Sequence, residues 1–497
     1  PTEETVIRVT HEKDEALSLC HKSLSDLEKA KPFLKESDYV ALKRGFERAL
    51  MITRIWRALS RVTVRYRWMR SANLPEPRRD LAQDGMELCR LANEIEREYG
   101  GEFPLVAPES LRVFWNEVEN LLSERVAWYY LSGLYIESSS TIADLNGDGK
   151  LEIVASSANR EIFMLDGGGK EIWKMTTPGE RYEYPAYSSP ALADLDDDGK
   201  PEIVIGAADG GIYALRASGQ CLWTFQTGNR VDSSAAVGDL DGDGKVDVVI
   251  GSLDGNLYAL SGKGDALWVY DAGEAIFATP SLADLNDDGK PEIVCGALNG
   301  KVFALDWGGQ VLWTWQAEKV QTDEWYSNGV PDGRLYSLQE KGAGVGIYSS
   351  PVVIAAKGGR KILVGSINGG FYCLGARGEK EWEFQTEGPI YSSPILADID
   401  ADGEKEILFG SLDGCLYALT PSGKEIWHFR TGGPIYGSVA AADINADGKL
   451  EIVVGSYDHH VWVVNADGEE TWNYQTGAPI FSSPAIADVD GDSQPEI

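Results

Sequence analysis

The amino-acid sequence predicts an all-β eight-bladed β-propeller with an N-terminal all-α helical bundle domain, and three observations carry that expectation. Residues 126–497 repeat at a period of 45, each period holds four short apolar runs between Asp/Gly-rich turns, and residues 1–125 show helical apolar spacing instead. Composition sets outer bounds. Of 497 residues 43% are hydrophobic and 55 are Gly, which excludes a small stapled scaffold and a collagen-like chain. With 78 Asp+Glu against 45 Lys+Arg the net charge is −33 at pH 7, so nucleic acid is not an expected partner: attraction to phosphate needs clustered Lys and Arg. No apolar stretch in the sequence approaches the roughly 20 residues that a membrane span needs. The chain opens at Pro1, and excision from something longer is expected.

The head, residues 1–125, reads as four helices over 11–31, 37–71, 77–99 and 107–126, separated by KPFLKES, ANLPEP and GGEFPLVAPES, each with Pro or Gly breakers. In the second, Leu42, Phe46, Ala49, Ile52, Trp56, Leu59 and Val62 follow i, i+3/4 steps and share one face, which needs a partner; a small bundle follows. Arg54, Arg57, Arg61, Arg65, Arg67 and Arg70 of the same helix make a solvated or salt-bridged face. Cys20, Cys89, Cys221, Cys295, Cys373 and Cys415 show no C-x-x-C pair and no His at metal spacing, so zinc and thioredoxin-type chemistry fall and buried thiols are expected.

The body carries two markers per period. One is a Trp at 128, 173, 223, 268, 313, 382, 427 and 472; the other is an acidic loop 29 residues before the Trp in regular units. Four antiparallel strands in about 45 residues suit a propeller blade better than a solenoid coil. Trp128 stands in register 45 residues before Trp173, while residues 482–497 supply two inner strands and stop. The economical expectation is eight blades, the last closed by an N-terminal outer strand around Trp128 and left incomplete, with more chain expected beyond Ile497.

Seven acidic loops place oxygen donors at positions 1, 3, 5 and 9. They are Asp144, Asn146, Asp148 and Glu152; Asp194, Asp196, Asp198 and Glu202; Asp239, Asp241, Asp243 and Asp247; Asp284, Asn286, Asp288 and Glu292; Asp398, Asp400, Asp402 and Glu406; Asp443, Asn445, Asp447 and Glu451; and Asp488, Asp490, Asp492 and Glu496. Gly stands at position 6 in all but the last, which has Ser493. Alternate side chains converging from a tight turn are what a hard cation with six to eight oxygen ligands needs, and calcium tolerates the geometry better than magnesium does. Up to seven calcium ions are expected. The degenerate fifth unit has Ala355, Lys357 and Arg360 where the acids would be, and no ion is expected there.

These loops, D-x-[DN]-x-D-G-x-x-[DE] followed by an Ile/Val strand, resemble the FG-GAP/VCBS-type calcium-binding repeats of the integrin α-subunit propeller. The motif GxIYAL…GxxLWxFxTGxPIxSSP is similar to the Trp-docked, PQQ-like repeats of quinoproteins and of the outer-membrane assembly lipoprotein propeller. The resemblance covers 126–497 and implies a calcium-stabilised propeller. It does not extend to quinone chemistry: no vicinal Cys pair is present and the calcium ligands belong to peripheral loops, so PQQ is not expected.

In a four-stranded blade the acidic first-to-second loops share a face with the third-to-fourth turns, and sequence variation gathers on the opposite face. There lie an insertion after Trp313 with Trp325, Tyr326, Arg334 and Tyr336, a shorter one with Tyr182 and Tyr184, and Tyr457-Asp458-His459-His460 in place of the usual Asp-Gly turn. Exposed aromatics beside polar groups on a rigid scaffold suit stacking on sugars or packing on a protein; the other reading is that they fold the insertions onto the propeller. An aromatic also precedes most inner strands, at Tyr187, Phe277, Tyr348, Tyr391, Tyr436 and Phe481, with Glu137 and Asp232 in the two remaining places and Arg230 beside the latter. That collar is either packing at the channel mouth or, through the acids, a grip on a ligand.

The expected function is an extracellular, cell-surface or periplasmic binding or assembly module, non-catalytic, that engages polysaccharide or protein through the variable face; self-assembly is compatible with it. The alternative is an accessory or catalytic part of a secreted polysaccharide-degrading enzyme, a lyase or glycoside hydrolase, since calcium-bearing propellers occur among rhamnogalacturonan lyases. A convergent base, acid and cation at one channel mouth would favour the enzyme.

Overall fold

The structure is a computed structural model that describes residues 130, 136, 138–157, 160–178, 188–318, 345–356, 358–476, 478–491 and 494–497. The chain divides into two units, Pro1–Trp128 and Tyr129–Ile497. The helical bundle expected over residues 1–125 lies outside the described residues, as does Trp128, and among the described residues there is no helix.

The second unit is a seven-bladed β-propeller. Seven four-stranded antiparallel sheets follow one another along the chain, over residues 141–176, 191–226, 236–271, 281–316, 352–385, 395–430 and 440–475, each with its strands in sequence order. In the first, β1 (Thr141–Ala143) pairs with β2 (Glu152–Ser157), which pairs with β3 (Glu161–Asp166), which pairs with β4 (Glu171–Thr176). The inner strand is short and half-buried, the two middle strands are buried along almost their whole length, and the outer strand alternates exposed and half-buried residues. This gradient explains the composition of the runs: Ile/Val-rich middle strands are covered on both faces, and only the outer strand alternates.

The count of eight blades is corrected to seven. After the seventh sheet, residues 478–491 and 494–497 form no sheet among the described residues, only an isolated bridge between Ala487 and Glu496. The physical reason is that the repeat markers persist where the partners do not. An acidic loop and two short apolar runs are present, but among the described residues no third strand pairs with them, and two strands alone are marginal.

Core lies between sheets, not within one. Leu240, Val249, Leu257 and Ala259 of the third sheet meet Ile293, Cys295, Phe303 and Leu305 of the fourth in one buried cluster, and the same pairing recurs round the ring. Two hydrogen-bond ladders fix the spacing. Outer-strand Trp173, Trp223, Trp268, Trp313 and Trp427 donate Nε1–H to Ala217, Gly262, Trp307, Ala376 and Ala466 carbonyls of the following sheet, at 2.7–3.0 Å. Near the axis, backbone N–H groups of Ser139, Ser189, Thr279, Ser350, Ser393 and Ser438 donate to the Oγ atoms of Ser189, Ser234, Ser350, Ser393, Ser438 and Ser483. Ser483 N–H donates in turn to Ser139 Oγ at 3.4 Å, so the C-terminal segment ties the last sheet back to the first.

Of the expected buried thiols, Cys295, Cys373 and Cys415 are buried, but Cys221 is exposed at the start of an outer strand, where alternation leaves it outside.

Candidate metal loops and the opposite face

Each acidic loop is built from its first residue. Asp144 Oδ1 accepts N–H from Gly147 and Asp148 at 2.7 and 3.1 Å, and its Oδ2 accepts from Gly149 at 2.9 Å. Asp148 Oδ1 accepts from Lys150 at 2.9 Å. The ninth residue then closes the loop from the second strand: Glu152 Oε2 accepts the Leu145 N–H at 2.9 Å, and Glu202, Asp247, Glu292, Glu406, Glu451 and Glu496 repeat that bond at 2.6–3.2 Å. In the six loops that open a sheet the ninth carboxylate is buried, at 1% exposure for Glu202 and Glu292, and in the last loop Glu496 is half-buried. Burial pushes Glu152, Glu202, Asp247, Glu292 and Glu406 up, and the neighbouring loop acids push the same way.

The loops are of two kinds, a division the common motif hides. In four of them three carboxylates converge, with ligand oxygens all within 4.8 Å of one another: Asp194, Asp196 and Glu202; Asp239, Asp241 and Asp247; Asp398, Asp400 and Glu406; Asp488, Asp490 and Glu496. In the other three, Asn146, Asn286 and Asn445 donate Nδ2–H to Oε1 of Glu152, Glu292 and Glu451 at 2.8–3.0 Å. The acidic clusters could hold metal ions. Two features test the fit. The donors are all hard oxygens, and Asp398 Oδ1 is buried with no hydrogen-bond partner in the loop. Both fit a hard cation. Asp492 lies outside the described residues.

Position 4 is the feature that sequence reasoning missed. Its φ is near +60° at Asp197, Asp287, Ala401 and Ala446, and +78° at Gly147. The turn therefore needs a left-handed residue there as well as the Gly at position 6. Gly147, Gly242 and Gly491 were the available signal, diluted by the two Ala. In the fifth sheet the acidic loop is replaced by a tight hairpin in which Ala355 pairs with Arg360.

On the opposite face the second-to-third turns meet the blade connections: Thr227 Oγ1 donates to Gly210 O at 2.9 Å and Thr431 Oγ1 to Gly414 O at 3.0 Å. Arg230 pairs with buried Asp232 through Nη2, and its Nε donates to Oδ1 at 3.3 Å. Burial raises the Asp232 carboxyl to about 6, against the pull of Arg230. The collar aromatics form a continuous arc, Phe277 to Tyr348, Tyr391, Tyr436 and Phe481, with ring centroids 4.3–5.7 Å apart. His460 Nδ1 lies 3.0 Å from the Asp458 carbonyl, Trp462 donates Nε1–H to Asp458 Oδ2 at 3.0 Å, and His459 takes the left-handed turn at φ 71°. The structure thus brings Arg230 to Asp232 but does not bring them to His459 or His460. Glu137, Tyr182, Tyr184, Trp325, Tyr326, Arg334 and Tyr336 lie outside the described residues. Among the described residues no helix is long and apolar enough to cross a membrane.

Comparison with known proteins agrees with the repeat. Residues 144–205, 194–250, 239–295 and 443–497 match the FG-GAP-like repeat, and residues 395–440 match the lambda-carrageenase β-propeller domain. No curated protein matches the chain. Among solved structures it is similar to quinohemoprotein alcohol dehydrogenase from Comamonas testosteroni (14% identity, 72% of this chain and 69% of that one, TM-score 0.51). It is also similar to BamB from Moraxella catarrhalis (18%, 72% and 92%, TM-score 0.49) and Sqt1 from Saccharomyces cerevisiae (14%, 66% and 82%, TM-score 0.47). At 14% identity the likeness to the dehydrogenase is one of fold. The chain carries FG-GAP-like repeats in a β-propeller.

Proposed function

We propose that this protein is a calcium-stabilised, non-catalytic binding or assembly module that engages polysaccharide or protein through the face opposite its acidic loops. The observation that carries the reading is the repeated convergence of oxygen donors on a buried ninth carboxylate, with one buried lone pair at Asp398 left unmatched. Calcium, when bound, supplies positive charge that offsets the mutual repulsion and desolvation of those carboxylates. The chain's own residues do the rest: Asp144 and its counterparts hold the turn through backbone N–H groups, and the ninth residue anchors it to the second strand. Acidic loops repeated on one face suit a scaffold role; the opposite face, where Arg230–Asp232 and His459-His460 break the repeat, suits recognition. Exposed oxygen-ligand loops of this kind fill at roughly 0.1–1 mM calcium, which favours a place outside the cytoplasm, at a cell surface or in a periplasm.

Calorimetric titration of the full chain with calcium chloride tests this: uptake of several ions per chain with much weaker magnesium uptake is expected. No uptake at millimolar calcium would end the reading. A second reading, the accessory or catalytic part of a polysaccharide-degrading enzyme, is favoured by the match of residues 395–440 to a carrageenase propeller domain. Release of reducing or unsaturated sugar ends from an acidic polysaccharide, abolished in Asp232→Asn, would favour it over pure binding.

A further inference from the structure

Loop 194–202 is bridged by an arginine across two of its acids, whereas in loop 239–247 Lys245 reaches only Asp243, at 3.2 Å. Arg216 places Nη2 on Asp196 Oδ2 and Nη1 3.2 Å from Asp198 Oδ2, so a single guanidinium bridges positions 3 and 5 of the loop 194–202. Its origin makes the contact more than a chance surface pair. Arg216 occupies the first position of the third-to-fourth turn, where the other sheets have Asp166, Ser261, Asp306, Gly375, Thr420 and Asn465. Five of those six cap their own turn: Asp166 Oδ1 accepts from Gly168 and Lys170 at 3.1 and 2.9 Å, Asp306 and Asn465 do the same, and Ser261 and Thr420 use their hydroxyls. The second sheet keeps the same backbone turn, with Gly219 N–H on Arg216 O at 2.8 Å, but gives up the side-chain cap for a reach across the face.

We propose that Arg216 is a built-in competitor for the metal at loop 194–202, so that this loop fills last among the loops with three converging carboxylates. The inference rests on the calcium reading above and refines it. Arg216 holds two carboxylates that face the same loop centre: Asp196 belongs to the converging set and Asp198 stands at position 5 of the donor pattern. A divalent ion must then either displace the guanidinium or sit beside a like charge, and each outcome weakens binding. In return the loop is neutralised in part without metal, and blade 2 keeps its shape at low calcium. The donor set alone gives no such order, since the other three loops of this kind converge three carboxylates as well.

The test is calorimetric titration of the full chain with calcium chloride, comparing wild type with Arg216→Ser, which restores the cap used at Ser261, and with Arg216→Lys. In Arg216→Ser one site is expected to tighten about tenfold, the remainder being unchanged, because the removed positive charge lies within hydrogen-bond reach of two ligands. Arg216→Lys should fall between. Thermal unfolding in EDTA gives an independent readout: Arg216→Ser should melt below wild type there and lose that deficit as calcium is added. Superimposable isotherms for wild type and Arg216→Ser, with calcium bound by both, overturn this inference and leave the calcium reading standing. No calcium uptake by wild type overturns both.

Discussion

Asp232 carries its charge almost out of reach of water. It is 3% exposed, and its carboxyl is raised from 3.8 to about 6 by burial, with Arg230 pulling the other way. Since the folded chain binds this proton more tightly than the unfolded one, the stabilising contribution is full below about pH 3.8 and is lost as pH rises through about 6. In Asp232→Asn that titration is absent. The stability of wild type relative to the variant is therefore expected to fall by up to about 3 kcal/mol from about pH 4 to about pH 7. Urea unfolding of both proteins at matched pH, in saturating calcium so that the loop acids act alike, checks it; parallel profiles would contradict the buried, titrating acid. Register alone singled out Asp232, because the collar is aromatic elsewhere among the described residues. Spacing could not show Arg230 folding back over it. The loops divide in the same way: the ninth acid is legible because its partner lies at fixed distance along the chain, while the left-handed Ala401 and Ala446 are invisible, since nothing in alanine announces a positive φ.

At the level of elements, the repeated third-to-fourth turn shows how two constraints meet on one glycine. Gly264 sits at φ 82°, and a Cβ there would come within 2.7 Å of the Trp223 ring of the preceding sheet. Gly244, at position 6 of an acidic loop, has the same φ of 82° but open space around it. Alanine at Gly244 should therefore cost the backbone term alone, about 1 kcal/mol, whereas alanine at Gly264 adds displacement of the docked indole and should cost about 3 kcal/mol. Denaturant midpoints of the two variants separate these contributions; equal losses would show that the Trp223 contact adds nothing to the backbone strain. The Trp-and-Gly period was plain in the sequence, and so were four strands per unit. Which sheet each Trp docks on was not, because the partner carbonyl lies about 40 residues on, as from Trp223 to Gly262, and belongs to no marker residue.

For the whole molecule, the misjudged blade count and the expected response to calcium share one cause: the repeat describes sheets, while closure depends on what joins the ends. Trp128 in perfect register suggested an eighth sheet, but the described residues form seven sheets and a C-terminal segment tied by Ser483 to Ser139. The loops that bracket this join belong to the same acidic series, the one at Asp144 and the one at Asp488. A cation bound by the folded loops and not by the unfolded chain stabilises by RT ln(1 + [L]/Kd), about 2.7 kcal/mol per site at a hundredfold excess over Kd. Four three-carboxylate loops filled to that extent would add about 10 kcal/mol, which for a chain of this size moves the midpoint of melting upward by ten degrees or more. Removing calcium with EDTA should lower the midpoint by that amount, and back-titration should raise it with the logarithm of free calcium, the slope reporting how many ions leave on unfolding. The opposing possibility has a physical basis too, because Asp144, Asp194 and Asp239 already satisfy both carboxylate oxygens with backbone N–H groups. If those bonds alone hold the loops, the melting curve will not move between EDTA and millimolar calcium, and metal would have no part in stiffening the ring.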